Sequence, residues 1–362
     1  MRPPNIRRLL DEIRSIHRFA STPHDSWADQ VDGQRKSNAR ILADLVAWRI
    51  RKREIHRFYF LWGLDRRDAP PARNFLSRRE FRKLRDMHNN RLVGEAGVSY
   101  VLLLEDKYLF SMYVASMGHP TPRVIALLDR DRITWLSPRR TATLDSLLEP
   151  DRTLDVFCKE VLGQRGLHSF RLEAAGGVLR INGEIAGTSD VANRLSTRAL
   201  LQERVVQHPD LDVVYPHSVN TLRLITVRMD ERARLFSIPG FRTGVSGSVV
   251  DNWSTGGILI PIDADTGVLR GSGRYKDGGT VTHHPDTGIR FDGFEIPHYR
   301  EAVELATRIH QDVPEIHSVG WDLAITPQGP VMIEGNSRWL GDFRMGLDPG
   351  FTREFLRLFA GT

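Results

Sequence analysis

Near the start of the chain Leu9, Leu10, Ile13 and Ile16 are set among Arg7, Arg8, Asp11, Glu12 and Arg14. That spacing predicts an amphipathic helix over residues 1–18 and lacks the apolar core of a secretory leader. Helical periodicity returns at Ile41, Leu42, Leu45, Val46 and Trp48, leads into the basic cluster Arg49, Arg51, Lys52 and Arg53, and is interrupted by Pro70 and Pro71. From Val101 onward the texture changes to short β-branched runs separated by Gly, Pro and Asp, with a few helical patterns between them, which predicts a mixed α/β architecture. Two helices stand out. Over residues 106–117, Asp106 is placed to cap the start, Gly118 suits a left-handed C′ position, and Pro120 and Pro122 prevent continuation. Over residues 298–312, Val303, Ala306, Ile309 and Val313 form one stripe and Pro314 ends it. Residues 318–336 read as two strands around a three-residue Pro327-Gln328-Gly329 loop, a β-hairpin.

No apolar run approaches the ~20 residues that span a bilayer, because stretches such as residues 101–104 and 257–262 stop early. A length of 362 residues predicts two or three packed units, and 40% hydrophobic with 27% charged residues excludes a wholly disordered or collagen-like chain. The single cysteine, Cys158, excludes an internal disulfide framework and a multi-thiolate zinc site; it fits a reducing compartment, and a cytoplasmic location is expected. Charge is unevenly spread. The whole chain is +6, yet residues 1–87 hold 21 basic and 11 acidic residues, a local excess of +10 that leaves about −4 for the remainder. The first segment is therefore read as a basic helical region, either a solvated face or a surface that attracts phosphates, nucleic acid or anionic lipid headgroups.

Candidate chemistry concentrates later. In the 318–336 hairpin Asp322 is placed opposite Glu334, and cross-strand partners lie about 4.5–5.5 Å apart at Cβ. Glu334 and Asn336 share a face, so Asp322, Glu334 and Asn336 can converge as hard oxygen donors for Mg²⁺ or Mn²⁺. Magnesium keeps waters and phosphate oxygens beside one or two carboxylates, so this set predicts a nucleotide site; the bland alternative is a polar surface turn. Lys159 falls at a strand end before a loop holding Gly163 and Gly166, a pattern that can bring backbone N–H donors and an ammonium to phosphates, or mark an ordinary hairpin turn. Lys107 follows the cap Asp106 at the positive end of a helix, where a cation is disfavoured by ~0.3–1 kcal/mol unless an anion joins it. Arg223 lies on an apolar strand and needs an anionic partner, either a transferring phosphoryl group or a neighbouring acid. Residues 251–257 form a polar, glycine-ended segment able to line the same cleft or to make a tight turn. Neither G-x-x-x-x-G-K-[ST] nor G-x-G-x-x-G occurs in the chain. A histidine zinc site of His283, His284 and His298 lacks a recognisable ligand spacing.

Taken in order, Asp106-Lys107, Phe157-Cys158-Lys159-Glu160 with its glycine loop, Gln202-Glu203-Arg204-Val205, Asn220-Thr221-Leu222-Arg223, Asp251-Asn252 with Gly256-Gly257, and Asp322 with Glu334-Gly335-Asn336 resemble the ATP-grasp superfamily, most closely its sugar-transfer-associated members. The likeness covers most of residues 101–345, and residues 59–67 look like that subgroup's helical leader. It implies an α/β (α+β) fold in which two subdomains grip ATP, with a basic helical region at 1–95, N-terminal and lid subdomains at 96–204, and a C-terminal metal-bearing subdomain at 205–362. It further implies that Lys107, Lys159, Gly163 and Gly166 meet the ATP phosphates, that Gln202, Glu203 and the backbone of Val205 meet the adenine, and that Gln207 or His208 approaches the ribose. Asp322, Glu334 and Asn336 would hold Mg²⁺ or Mn²⁺, and Arg223 with Asn252 would serve the reacting centre. The activity implied is an ATP-dependent carboxylate-amine ligase working through an acyl phosphate, acting on a small-molecule carboxylate and an amine or sugar acceptor of the cell envelope. A kinase of the same fold is the enzymatic alternative. The alternative of another class is a noncatalytic nucleic-acid or envelope-binding protein resting on the basic segment; nucleic acid is the less expected partner, contact with an anionic membrane surface is compatible with the charge, and the oligomeric state is left open.

Overall fold

In a computed structural model the described residues are 35–56, 58–60, 62–91, 97–163, 168–229, 232–276, 279–313, 315–341 and 350–360. The amphipathic reading of residues 1–18, Gly166 and Pro314 lie outside them. The chain divides into two compact units: residues 1–87 with 274–280 and 340–362, and residues 88–273 with 281–339.

The first unit is helical where described. Helix α1 (Asn38–Lys52) starts at Ser37, whose hydroxyl accepts from Arg40 N, and buries Ile41, Leu45 and Trp48, the stripe read from the sequence. Helix α2 (Arg78–Asn89) buries Phe81, which packs on Phe351 and Phe355 of the C-terminal helix Phe351–Phe359. His56 is enclosed by Trp48, Tyr59 and Trp62, and burial lowers its pKa to about 3, so it stays neutral.

The second unit carries two antiparallel sheets and the helices that cover them. Helices α3 (Leu102–Glu105) and α4 (Lys107–Ser116) come first. Asp106 caps α4 as expected, accepting from Tyr108 N and Leu109 N at 2.9 Å each, and Gly118 takes φ +78° just beyond its end. The first sheet is built from β1 (Val124–Asp129), β2 (Arg132–Leu136), β3 (Arg139–Thr143), β4 (Thr153–Glu160), β5 (Phe170–Ala175), β6 (Val178–Ile181), β7 (Glu184–Ala186) and β8 (Ala199–Glu203), in the order β3-β2-β1-β8-β4-β5-β6-β7. One face buries Leu128, Ile133, Trp135, Val156, Cys158, Phe170, Leu172 and Leu201, closed by α5 (Thr188–Arg194) through Val191. Alternation along β4 turns Lys159 to the other face, where Leu127, Val161 and Leu200 pack with Tyr108 of α4.

After α6 (Pro209–Asp212) the second sheet contains β9 (Thr221–Met229), β10 (Arg232–Leu235), β11 (Gly240–Thr243), β12 (Ile258–Pro261), β13 (Ser318–Thr326) and β14 (Gly329–Asn336), with β12-β11-β9-β13-β14 running side by side. Helix α7 (Tyr299–Asp312), at the predicted position, packs against this sheet; Ala306, Ile309 and Val313 of the expected stripe are buried, but Leu305 is buried in place of Val303, which is only half-buried. The β13–β14 hairpin forms as expected and pairs Asp322 with Glu334, but by a different route. The loop has two residues, Pro327 and Gln328, because Thr326 pairs with Gly329, which adopts φ +116°. A bulge then leaves Ile333 without a partner, and this extra residue returns Glu334 to the position facing Asp322. Pro330 is tolerated because β14 lies at the sheet edge. Among the described residues no helix is long and apolar enough to cross a membrane.

Between the two candidate ligands of β14, Gly335 faces the opposite, apolar side. A Cβ there would lie 2.8 Å from Leu104 Cδ2, 2.8 Å from Trp321 Cζ3 and 3.2 Å from Phe110 Cε2. The missing side chain lets α3 and α4 approach the hairpin, so the helix that begins with Lys107 reaches the strand that carries Glu334. Gly335→Ala is expected to destabilise the protein by about 1–3 kcal/mol through overpacking. A lowered urea midpoint at unchanged slope checks this; an unchanged midpoint would mean the helices have room to shift.

Candidate active site

One face of the second sheet gathers the acids and arginines. Arg223 on β9 is directly opposite Asp322 on β13, and Arg242 on β11 is opposite Thr221, two residues before Arg223 and therefore on the same face. Arg223 Nη2 donates to Asp322 Oδ2 at 2.8 Å, and its Nε lies 2.6 Å from Oδ1 as an ion pair. Arg242 Nη2 also pairs with Asp322 Oδ1. Gly320 makes this possible, since a Cβ on it would lie 3.3 Å from Arg223 Nη1 and 2.6 Å from Trp339 Cβ. Burial is the largest influence on Asp322 and pushes its pKa up, but Arg223 and Arg242 outweigh it and hold the carboxyl below its usual range.

Asn336 Nδ2 donates to Asp322 Oδ2 and to Glu334 Oε1, both at 3.2 Å, so the three candidate side chains meet, with the amide nitrogen between the carboxylates and the amide needing to turn over to present its oxygen to a cation. Two carboxylates and an amide oxygen match the needs of Mg²⁺ or Mn²⁺, hard cations that complete their shell with water and phosphate. Among the described residues no three His, Cys, Asp or Glu side chains form a metal-binding group. The three histidines go elsewhere. His284 Nε2 meets Gly244 O, His298 pairs with Glu301, and His283 lies beside Thr282.

Both candidate lysines reach this acid cluster from the first sheet's side. Lys107 N donates to Val161 O at 3.0 Å, which fixes the start of α4 to the end of β4. Its ammonium donates to Gly163 O and lies 3.9 Å from Glu334 Oε2, which relieves the unfavourable placement of a cation at a helix start. Lys159 is 6% exposed. Burial and, more weakly, Lys107 lower its pKa from 10.5 to about 8, while Glu334 and Asp322 oppose the shift. Lys107, Lys159, Arg223 and Arg242 therefore face Asp322, Glu334 and Asp251, four cations against three carboxylates, an excess that favours an anionic ligand.

The remaining candidates are less uniform. Gln202 is buried and donates to Ser111 Oγ and Pro122 O, both at 3.0 Å, tying the sheet to α4 and to the entry of β1. Exposed Glu203 accepts from Arg123. Val205 is half-buried just after β8. The Gln207 amide nitrogen donates to Asp212, Tyr215 O and Ser218 O, and its oxygen accepts from Asn220 N and Nδ2, so its side chain ties the linker to residues 212–220. His208 caps α6 through Nδ1, and its N–H donates to Ile325 O at 2.7 Å, anchoring the linker to β13. Asn252 Oδ1 accepts from Ser254 N and Oγ, so its side chain closes a local turn. Sequence reasoning missed Arg242 and gave Asp251 no role of its own. An arginine inside the short run Gly240-Phe241-Arg242-Thr243, whose residues are all buried, was the signal available for Arg242.

A profile described as sugar-transfer associated ATP-grasp matches residues 96–355, most of the chain. The chain belongs to that family. This ATP-grasp protein has the α+β fold of two antiparallel sheets with covering helices. A comparison with curated proteins finds no match. Among solved structures it is similar to an L-amino acid ligase from Bacillus licheniformis (TM-score 0.39, 10% identity, 70% of this chain and 45% of that one). It is also similar to a D-alanyl-alanine synthetase A from Vibrio cholerae (0.43, 12%, 76% and 72%). A third is an N5-carboxyaminoimidazole ribonucleotide synthetase from Thermotoga maritima (0.35, 14%, 70% and 48%). The chain thus spans less than half of the first and third of these proteins, and at such TM-scores the likeness carries no argument about substrate.

The placement of Lys159 has a measurable consequence. If Lys159 meets the ATP phosphates, the arriving polyanion raises the pKa of a buried lysine that starts at about 8, so ATP binding at pH 8 should take up about half a proton. Calorimetry in buffers of different ionisation enthalpy should show this uptake, and Lys159→Gln should remove it. Identical heats in all buffers would place Lys159 away from the phosphates.

Proposed function

We propose that this chain is an ATP- and Mg²⁺-dependent ligase that activates a carboxylate as an acyl phosphate for attack by an amine, with an amino acid, amino sugar or envelope glycan intermediate as the class of acceptor. The observation that carries this reading is the meeting of Lys107 and Lys159 with the Asp322–Glu334–Asn336 cluster over one sheet face. In it, Glu334, Asn336 and Asp322 hold the divalent cation, which neutralises charge on the phosphates when bound. The two ammonium groups bind the phosphate oxygens. Arg223 and Arg242, already fixed by Asp322, stabilise the anionic charge that develops at the acyl phosphate without having to reorganise. Glu203, the backbone of Val205 and His208 are the proposed adenine and ribose contacts. Chemistry of this kind requires no protein nucleophile, because positioning and charge stabilisation perform it.

Incubation with ATP, Mg²⁺ and a panel of carboxylates, amino acids and amino sugars tests the reading. ADP, phosphate and an amide should appear in equal amounts, and Glu334→Ala should lower turnover by about 100-fold or more. A stable phosphorylated product without free phosphate would replace ligation by phosphoryl transfer. Full turnover by Glu334→Ala would remove the metal assignment.

A further inference from the structure

Asp251 stands beside the acid cluster but is not one of its proposed metal donors. Its Oδ2 accepts from Thr221 N at 3.0 Å and from Thr221 Oγ1, and Arg242 Nε lies 3.9 Å away. Oδ1 has no hydrogen bond among the described residues, and 13% of the side chain remains accessible. One oxygen is thus anchored to β9 while the other is open. The same Arg242 guanidinium donates to Thr221 Oγ1 at 3.1 Å and pairs through Nη2 with Asp322 Oδ1, so a single rigid side chain separates Asp251 from the acids that face the lysines. Gly257 fixes the segment from behind: a Cβ there would lie 2.5 Å from Asp251 O and 3.0 Å from Asn252 O, so the turn after Asp251 closes only around glycine.

We infer that Asp251 accepts the proton of the incoming ammonium group, so that a free amine attacks the activated carboxylate. This rests on the ligase reading above and names the residue that serves its second half-reaction. An amine acceptor is protonated and non-nucleophilic at neutral pH, and the arginines and lysines of the site cannot take its proton while charged. The Asp251 carboxylate takes the proton and becomes a carboxylic acid. The neutral amine nitrogen then forms its bond to the acyl carbon, the bond from that carbon to the phosphate oxygen breaks, and the second nitrogen proton leaves with the phosphate. The charged groups that act on Asp251 are Arg242 from β11 and, beyond it, Asp322 from β13. Burial raises its pKa above the ordinary aspartate value, while Arg242 and the Thr221 hydrogen bonds work in the opposite direction. A carboxylate raised in this way is a better base than a solvated one.

Hydroxylamine separates this role from the ligase reading, because it is already neutral at neutral pH and needs no base. With ATP, Mg²⁺ and a donor carboxylate, the wild type should form both amide and hydroxamate. Asp251→Asn should lower amide formation by about 100-fold or more while lowering hydroxamate formation only a few-fold. As a second probe, Thr221→Val removes a hydrogen bond that favours the anion, so the acidic limb of the amide-forming pH profile should move to higher pH. Equal loss of both products in a folded Asp251→Asn protein, with no shift of the limb in Thr221→Val, would overturn the inference and leave Asp251 as an anchor of its turn. Absence of both amide and hydroxamate from every donor tested with the wild type would instead remove the ligase reading itself, and the inference with it.

Discussion

The candidate site depends on a single extra residue in an edge strand. From the Thr326–Gly329 pair that closes the hairpin, an unbroken ladder would set Asp322 against Ile333, turn Glu334 and Asn336 toward the apolar layer, and aim Gly335 into the cleft. The bulge at Ile333 reverses that parity. What enforces it is packing on the other side of the sheet, where Met332 is fully buried and Gly335 fits between Leu104, Trp321 and Phe110 with no space for a side chain. Neither glutamate nor asparagine can replace glycine there. The apolar face therefore selects the register, and convergence of the polar donors follows from it. An edge strand is where such a bulge disturbs least, since only one ladder is interrupted.

The polar face is costly to assemble. Asp322 is 3% exposed and held by two guanidinium groups, Lys159 is nearly as deeply buried, and burial opposes the charged form of each. Paired charges in a protein interior often contribute no net stability compared with apolar residues of the same size, so stability alone does not account for this cluster. Binding does. The guanidiniums are oriented by Asp322 before any ligand arrives, so an anion entering the site meets charges that need not be ordered in the same event.

How much of this was legible in the sequence depends on the range of the interactions. The α4 cap and helix α7 are local: they follow from spacing and cap residues, and they formed where expected, whereas the Asp322–Glu334 pair formed only through the bulge at Ile333. The loop length was misread because a two-residue loop plus one bulge gives the same cross-strand pair as the expected three-residue loop, and nothing in Val331-Met332-Ile333 signals a bulge. The interior setting of Gln207 was not legible because an exposed and an interior glutamine look alike in sequence; its five hydrogen bonds come from the folding back of residues 212–220 onto the linker after β8. Arg242 was missed for a related reason. Its partners Asp322 and Asp251 come from elements 80 residues downstream and nine residues downstream, and only the order β11-β9-β13 brings them together.

That strand order also divides the charges. The acids proposed as metal donors and both arginines belong to the second sheet, whereas Lys107 and Lys159 belong to α4 and β4, which are joined by the Lys107 N to Val161 O hydrogen bond and packed on the first sheet. Without a nucleotide, Lys107 satisfies itself on Gly163 O and approaches Glu334, so a lysine and a proposed metal donor partly neutralise each other across the two halves. On the proposed reading, a bound triphosphate with its cation would offer each of them a better partner: phosphate oxygens for the ammonium and a divalent ion for the carboxylate. The affinity for nucleotide is then the difference between two sets of ion pairs, and at a spacing of 3.9 Å between partly exposed groups the set to be given up is weak. On the proposed reading the Lys107–Glu334 pair yields readily to the ligand, because a helix packed on the first sheet supplies one member and the second sheet supplies the other.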